Sequence, residues 1–435
     1  MQPANRQLRR RAVIAAAIGN FITWFDFAAY GFLAVTLGKV FFPSQDPTLS
    51  LLSTFAVFGV AFLMEPVGAF FFGRLGDRIG RKAVLATVIL LMSLSTFTVG
   101  LLPGYETIGV SAPVLLLVMR LLQGFAAGGE PGGAATFLAE YSEQNKRAQT
   151  VSMWHASSYL SNAGASLLIL GLNAGLSAEA MLSWGWRVPF LIAAPVGLVG
   201  LFVRLKLSDT PEFERLKESG EVSHHPVRDA LTGSWKQILQ VFGCGALQYA
   251  AFYFTNIYME TYIHSELGYS EVSAAVSTVV CLAVASVGIF VFARISDRVG
   301  RRPILRIATI CSALFTFPMF LVINSGSLPA VILGHTLLGI CLAMFMSASG
   351  AALVEIFPSR VRYAGFSIGF NMAGAVFGGT APYLATALIA GTGSSLSPAF
   401  ILIGTAVIAL IAITTMRETA GPKASVAATA DVARS

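Results

Sequence analysis

Four ionisable side chains, Asp26, Glu65, Arg120 and Glu130, stand deep inside long apolar stretches in the first half of this chain. A charge at the centre of a membrane helix costs about 2.5–3.5 kcal/mol even on insertion scales, so four facing lipid would cost on the order of 10 kcal/mol. They are expected to face a cavity or one another. Carboxylates kept in such a place can bind and release a proton, and cancelling a buried charge permits a change of shape. At 1.5 Å per residue, Asp26 lies roughly 22 Å along its helix from Arg11, at mid-membrane. Glu130 lies ten residues before Glu140, and His155 nine residues after Lys146 on the returning helix. Both are then about 14 Å deep, and a carboxylate and an imidazole at one level could share a titrating proton. The alternative gives His155 a packing role only. Asp26 and Glu130 lead the proton-coupling candidates, followed by Glu65 and His155.

Arg120 is suited to anchor a substrate carboxylate, because its planar fork matches that group; a structural pair with Asp26 is the competing reading. The second half offers neutral groups instead: Gln248, Tyr253, Thr255, Asn256, Tyr258, Asn371 and His335. Tyr249, Tyr253 and Tyr258 could cage a quaternary ammonium, although aromatic rings on helices more often pack against neighbours. The substrate-binding candidates are Arg120, Tyr30, Trp154, Tyr253, Tyr258, Asn256 and Asn371. The run Gly128-Gly129-Glu130-Pro131-Gly132-Gly133 lacks the following Lys-Ser/Thr of a phosphate loop and reads as close helix packing.

A charged block occurs twice: GRLGDRIGRK at Gly73–Lys82 and ARISDRVGRR at Ala293–Arg302, 220 residues apart. Glu140 and Arg147 recur as Glu355 and Arg360 at an offset near 215, and Asp209-Thr210 as Glu418-Thr419 at 209. Such a repeat marks an internal duplication. Its acids and bases suit a latch at a membrane boundary, where a carboxylate can meet the positive end of a helix and where each ion pair is worth only about 0–1 kcal/mol. Asp77, Arg78, Arg81, Glu140 and Arg147 would form one copy, and Asp297, Arg298, Arg301 and Glu355 the other. The alternative is that these charges merely anchor loops outside the bilayer.

The elements that must hold these residues are helical. Of the 435 residues, 55% are apolar and only 12% charged, about half the charge of a soluble protein. Twelve apolar stretches fall at 12–38, 51–73, 83–102, 112–139, 148–173, 186–207, 236–262, 271–293, 303–323, 328–356, 362–390 and 397–416. Each is long enough to cross a hydrocarbon core of about 30 Å. The expected fold is an all-α membrane protein with twelve transmembrane helices. Residues 1–207 form one six-helix half, 208–235 a cytoplasmic linker, 236–416 the second half and 417–435 a cytoplasmic tail. With the N-terminus inside, 26 of 29 Lys and Arg residues lie on one side, the exceptions being Lys39, Arg120 and Arg187. The +7 charge therefore reports topology, with both termini cytoplasmic, and no nucleic-acid partner. The four scattered cysteines lack metal spacing and read as hydrophobes.

The whole chain resembles the major facilitator superfamily, and the block LQGFAAGGEPGGAATFLAEYSEQNKR (Leu122 to Arg147) has the spacing of its sugar-porter-type branch. GNFITWFDFAAYGF (Gly19 to Phe32), PGYETIG (Pro103 to Gly109), WGWRVPF (Trp184 to Phe190) and TPEF (Thr210 to Phe213) are similar to the metabolite:proton symporters. That family includes proline/betaine, α-ketoglutarate, citrate and shikimate permeases. The resemblance implies alternating access between two halves, with the loop around Asp77 as a cytoplasmic latch. Relatives usually carry Arg-Pro where this chain has Glu65-Pro66, Glu where it has Thr23, and often Tyr where it has Pro131. Losing the Arg leans towards a zwitterion or monocarboxylate over citrate.

The expected function is proton-coupled import of a small polar metabolite, a zwitterionic osmolyte such as proline or glycine betaine, in a bacterial inner membrane. Symport of a mono- or dicarboxylate stands beside it, as does export of a drug or metabolite by proton antiport, against which Arg120 speaks. No enzyme chemistry stands out. No cofactor or metal is expected, since the proton gradient supplies the energy, and the protein is expected to work as a monomer within the lipid bilayer. The tail has no apolar heptads, so regulation through a C-terminal coiled coil is not expected.

Overall fold

The computed structural model describes residues 3–79, 81–205, 226–358 and 361–420, excepting the side chains of 3–16, 73–79, 81–83, 85, 144, 203–205 and 226. The greater part of the linker and tail lies outside the described residues. No strand occurs among those described.

Twelve long helices follow the twelve apolar stretches. Helix α1 is Pro3–Phe32, turned by 67° into Ala34–Phe41; α2 is Pro47–Ile79 and α3 Arg81–Leu101. Helix α4 comes in two pieces, Ser111–Ala127 and Pro131–Glu140; α5 is Arg147–Gly175 and α6 Val188–Leu205. Helix α7 runs from Trp235–Tyr253 through wide turns at Phe254–Tyr258 and Tyr262–Glu266. Then come α8 (Glu271–Val299), α9 (Arg301–Ile323), α10 (Leu328–Glu355), α11 (Arg362–Ala373 and Thr380–Thr392 about a wide turn at Gly374–Gly378) and α12 (Pro398–Thr415).

Eight of these are, singly, long and apolar enough to cross a membrane, and the bent α1 pair makes a ninth. Helices α5 and α7 score lower for a physical reason: they spend polar residues such as His155, Asn162, Gln248 and Asn256 on the protein interior, where all four are buried. Leucine, valine and phenylalanine are exposed instead on outer faces, as at Leu63, Phe70, Leu160, Val287 and Phe400. An apolar outer surface around a polar interior is the arrangement lipid demands.

The two six-helix halves meet along α2 with α11 and α5 with α8. Within the first half, α4 lies against α2 with bare glycines, since a Cβ at Gly124 or Gly128 would collide with the backbone carbonyl of Ala61 or Glu65. That close approach fixes the height of Glu65 beside the break in α4. Arg187, one of the three cations off the basic side, donates to the carbonyls of Gly100 and Leu102 at 2.9 and 2.6 Å. It thereby caps the negative end of α3.

Candidate functional site

Midway along the bundle, between the halves, lies a narrow cavity. Helix α1 turns Asn20, Thr23, Trp24 and Phe27 towards it, a set spaced i, i+3, i+4, i+7 and so confined to one face. Glu65 enters from α2, Glu130 and Pro131 from the break in α4, Trp154 from α5, and Tyr249 and Tyr253 from α7. A smaller hollow continues behind Trp24, Trp154 and Tyr249, reaching His155, Ser158, Gln248 and Phe370. The wall is aromatic: Tyr249 and Tyr253 stack at 6.3 Å, Trp24 lies 5.8 Å from Tyr253, and Tyr249 lies 4.7 Å from Phe370.

Two carboxylates line this space. Glu65 is 5% exposed, and its Oε2 has no hydrogen-bond partner. Glu130, 4% exposed, stands at the N-cap of the second α4 piece, which Pro131 begins. The sequence Gly-Gly-Glu-Pro causes the break: the helix stops at Ala127, and proline restarts it where no amide donor is needed. Helix α11 of the other half grips this break. Tyr363 Oη donates to Gly129 O at 3.3 Å, Asn371 Nδ2 to Gly128 O at 3.5 Å, and a Cβ at Gly132 would collide with Ser367 Oγ.

Asp26 and Arg120 lie behind the wall instead of lining it. Arg120 Nη1 meets Asp26 Oδ2 at 3.2 Å, and both side chains are essentially fully buried. Gln123 accepts from Arg120 at 2.8 Å and donates to Asp26 at 3.0 Å and Thr96 at 3.0 Å. The guanidinium is also faced by the rings of Tyr30, Phe27 and Phe58 at 4.3, 4.9 and 5.4 Å. The structure thus favours the structural pair over a substrate anchor for Arg120. It also corrects Tyr30, which backs that guanidinium and donates to Thr54 O at 3.1 Å.

Other expectations need correction. Glu130 lines the main cavity and His155 the hollow behind it, where His155 points at Gly350 of α10, at which a Cβ would come within 3.0 Å of its Nε2. Equal depth did not make them neighbours, because rise along a helix says nothing of direction around it. Tyr258 leaves the tyrosine cage: it hydrogen-bonds Thr386 at 3.1 Å and meets Phe55 edge-on at 5.6 Å. Asn256 is buried off the cavity, and Asn371 binds backbone, including Ser367 O at 2.8 Å. Trp154 and Tyr253 alone of the substrate-binding candidates line the main cavity.

Contacts join the halves towards both ends of the bundle. At the end bearing the repeated charged blocks, Asp297 accepts from the backbone amides of Ala148 and Gln149 at 3.0 and 3.2 Å, capping α5 from across the interface. Arg301 holds Asp297 at 2.8 Å and Glu355 at 3.4 Å, and Arg147 reaches Glu355 at 3.3 Å. Glu418 adds a contact that the repeat alone does not reveal, accepting from the amides of Arg301 and Arg302 at 2.8 and 3.0 Å. Arg298 is exposed and stands outside this latch. The side chains of Asp77, expected at the positive end of a neighbouring helix, and of Arg78 and Arg81, expected to pair with acids such as Glu140, lie outside the described residues.

At the opposite end Ser166 donates to Glu260 at 2.9 Å and Asn173 to Glu271 at 2.8 Å, again across the halves. A Cβ at Gly59 would lie 2.9 Å from Gly379 O. The charged latch is partly solvated, so Glu355→Gln is expected to cost it about 1 kcal/mol. In a variant lacking the native cysteines, a cysteine placed at Ser347, facing Ser152 across the interface, should then react with a soluble maleimide roughly fivefold faster. An unchanged rate would show that the charges do not hold this end shut.

Residues 12–233 match the family model described as sugar (and other) transporter, and residues 241–434 that of the major facilitator superfamily. The chain belongs to the major facilitator superfamily. It is a multi-pass membrane transporter and not an enzyme. It is 36% identical over 427 residues to the proline/betaine transporter of Escherichia coli (strain K12), covering 94% of this chain and 84% of the relative. It is equally 36% identical over 424 residues to the glycine betaine/proline/ectoine/pipecolic acid transporter OusA of Dickeya dadantii (strain 3937), with 94% and 84% covered. Among solved structures, the proton:xylose symporter XylE bound to 6-bromo-6-deoxy-D-glucose superposes with a TM-score of 0.79 at 15% identity, covering 96% of this chain and 98% of that one. At that identity the likeness concerns the fold alone.

Asn20, Thr23, Trp24, Phe27, Ala127 and Pro131 line the cavity but are not among the residues expected to bind substrate or proton, and Tyr249 is expected only as part of a tyrosine cage. For Trp24 a signal exists: it shares the i, i+3, i+4, i+7 face of Asn20, Thr23 and Phe27, which carries the only polar groups between Gly19 and Phe25.

Proposed function

We propose that this facilitator carries a small zwitterion, proline or glycine betaine, inward across the cytoplasmic membrane together with a proton. The observation that carries the reading is the central cavity: lying between the halves, walled by aromatic rings, and lined among the described residues by carboxylates and no Lys or Arg side chain. Such a wall suits an alkylammonium group, and the similar transporters named above handle such compounds. Dicarboxylates and citrate fit less well, because Arg120 is committed to Asp26.

Glu130 is the proton carrier in this scheme. It lies in the cavity at a helix break that the second half grips, so its charge state bears on the contact that must loosen when the halves rock. Asp26 keeps its charge, balanced by Arg120. The latch of Asp297, Arg301, Arg147 and Glu355 closes the cytoplasmic side, no cofactor takes part, and one chain suffices because the cavity lies wholly within it.

A second reading is favoured by one observation. With Arg120 withdrawn, an acidic aromatic cavity also suits export of lipophilic cations by antiport. Transport-deficient cells given labelled proline, glycine betaine, α-ketoglutarate, citrate or shikimate, with and without an uncoupler, decide the matter. Uncoupler-sensitive accumulation of the first two is expected. Uptake of the carboxylates alone, or efflux from preloaded right-side-out vesicles on acidifying the outside, would overturn the reading.

A further inference from the structure

Glu65 is left without a role by the scheme above, and its surroundings are unusual for a carboxylate. It is 95% buried, since only 5% is exposed, and no described donor reaches Oε2. Arg120, the guanidinium described in this half of the core, gives its Nη1 to Asp26 and Gln123 and makes no hydrogen bond to Glu65, although its Nε and Nη2 have no hydrogen-bond partner. On the second half, Glu65 and Tyr249 converge on the bare backbone of α11 at Gly374: a Cβ there would lie 2.9 Å from Glu65 Oε2, 2.9 Å from Tyr249 Cζ and 3.1 Å from the tyrosine oxygen. Gly374 opens the wide turn Gly374–Gly378, where any side chain would fill the corner between acid and ring. The same cavity wall brings Trp24 and Tyr253 alongside. A buried anion without a counter-charge is costly, and aromatic faces attract cations. Acid and rings therefore ask for the same thing.

We infer that Glu65, with Tyr249, Tyr253 and Trp24, forms the subsite for the alkylammonium group of the cargo and sets selectivity for substrates bearing one. This deepens the reading that the central cavity carries the cargo, and rests on it. A ring or chain ammonium with N–H groups, as in proline, can donate directly to the carboxylate. A quaternary ammonium has no N–H and is held by charge and ring faces alone, so it depends on Glu65 less steeply. The carboxylate pole of a zwitterion is then directed towards Trp154, whose indole Nε1 has no hydrogen-bond partner and which lines both hollows.

The test is equilibrium binding to the purified full chain at fixed pH without any gradient, read from intrinsic tryptophan fluorescence, to which Trp24 and Trp154 in the cavity wall contribute. The probes are proline, glycine betaine, pyrrolidinium, tetramethylammonium and cyclopentanecarboxylate, the last being proline's ring and acid without its nitrogen. Wild type is expected to bind the first four and not the fifth. In Glu65→Gln, proline and pyrrolidinium should weaken about ten- to a hundredfold, the range for a hydrogen bond to a charged group, and the quaternary probes less. Glu65→Asp should recover part of the loss. Because Gln removes an unpaired buried charge, the variant is expected to melt no lower than wild type. Tyr253→Leu serves as a second variant, which should weaken tetramethylammonium most. Wild-type-like binding of proline and both cations by Glu65→Gln overturns the subsite while leaving the proposed cargo intact. Binding of pyrrolidinium and tetramethylammonium, lost in Glu65→Gln, without binding of proline or betaine, overturns the cargo and keeps the subsite.

Discussion

Glu130→Gln is expected to leave a protein that exchanges substrate across a membrane but no longer concentrates it. Coupling is a requirement that the empty or half-loaded cavity cannot switch sides. An ionised Glu130, only 4% exposed, carries a desolvation penalty that a proton lessens. The second half touches the backbone on both sides of it, through Tyr363 to Gly129 and the close contact of Gly132 with Ser367. A neutral glutamine makes the proton unnecessary, so the halves can rock with substrate alone. Moving one charge through 100 mV releases about 2.3 kcal/mol, equivalent to a roughly fiftyfold gradient of a neutral zwitterion. That accumulation should vanish in the variant. Reconstituted vesicles measure both quantities: uptake driven by an imposed pH difference and potential, and counterflow with neither. Gradient-driven accumulation persisting in Glu130→Gln would remove Glu130 as the carrier.

Much of the architecture is legible in the sequence because lipid imposes simple rules. Twelve apolar runs become twelve helices, and the second copy of the charged block gathers Asp297, Arg301 and Glu355 with Arg147 into an ion-pair cluster at one end, since charges at a helix boundary have few partners other than one another. Within the membrane, legibility fails in specific ways. Asp26 and Arg120 are both called interior by their cost in lipid, but only three-dimensional packing shows that they satisfy each other through Gln123. Depth counted at 1.5 Å per residue placed Glu130 level with His155, yet the break after Ala127 and the untested azimuth send them to different hollows. Tyr249 and Tyr253 share a helix face as spacing implies, whereas the wide turn at Phe254–Tyr258 adds a residue to the repeat and carries Asn256 and Tyr258 away from it. Glu65 was visible as a departure from its relatives, and its meaning depends on Gly374, which lies 309 residues further along the chain.

Arg120→Ala is expected to be among the most destabilising single changes in the protein. The variant strips the counter-charge from Asp26, a side chain 2% exposed, and empties a slot bounded by the rings of Phe27, Tyr30 and Phe58. Breaking a buried pair from one side costs about 3–5 kcal/mol, because the remaining charge stays buried without compensation. Against a typical stability of about 5–15 kcal/mol, that loss should appear as a sharply lower melting temperature in detergent and a poor yield of monodisperse protein. Asp26→Asn should cost less, since the guanidinium keeps Gln123 and three aromatic faces. The double variant Asp26→Asn with Arg120→Leu leaves no charge behind and should recover most of the stability, as buried ion pairs replaced by neutral groups of similar size commonly do. It also separates structure from transport. If the pair is only a brace behind the cavity wall, the double variant takes up proline with an affinity close to wild type. A double variant that melts like wild type yet has lost proline binding would return Arg120 to the cavity as a substrate anchor. A single Arg120→Ala variant that melts within a degree of wild type would show that Asp26 is not charged in the folded protein.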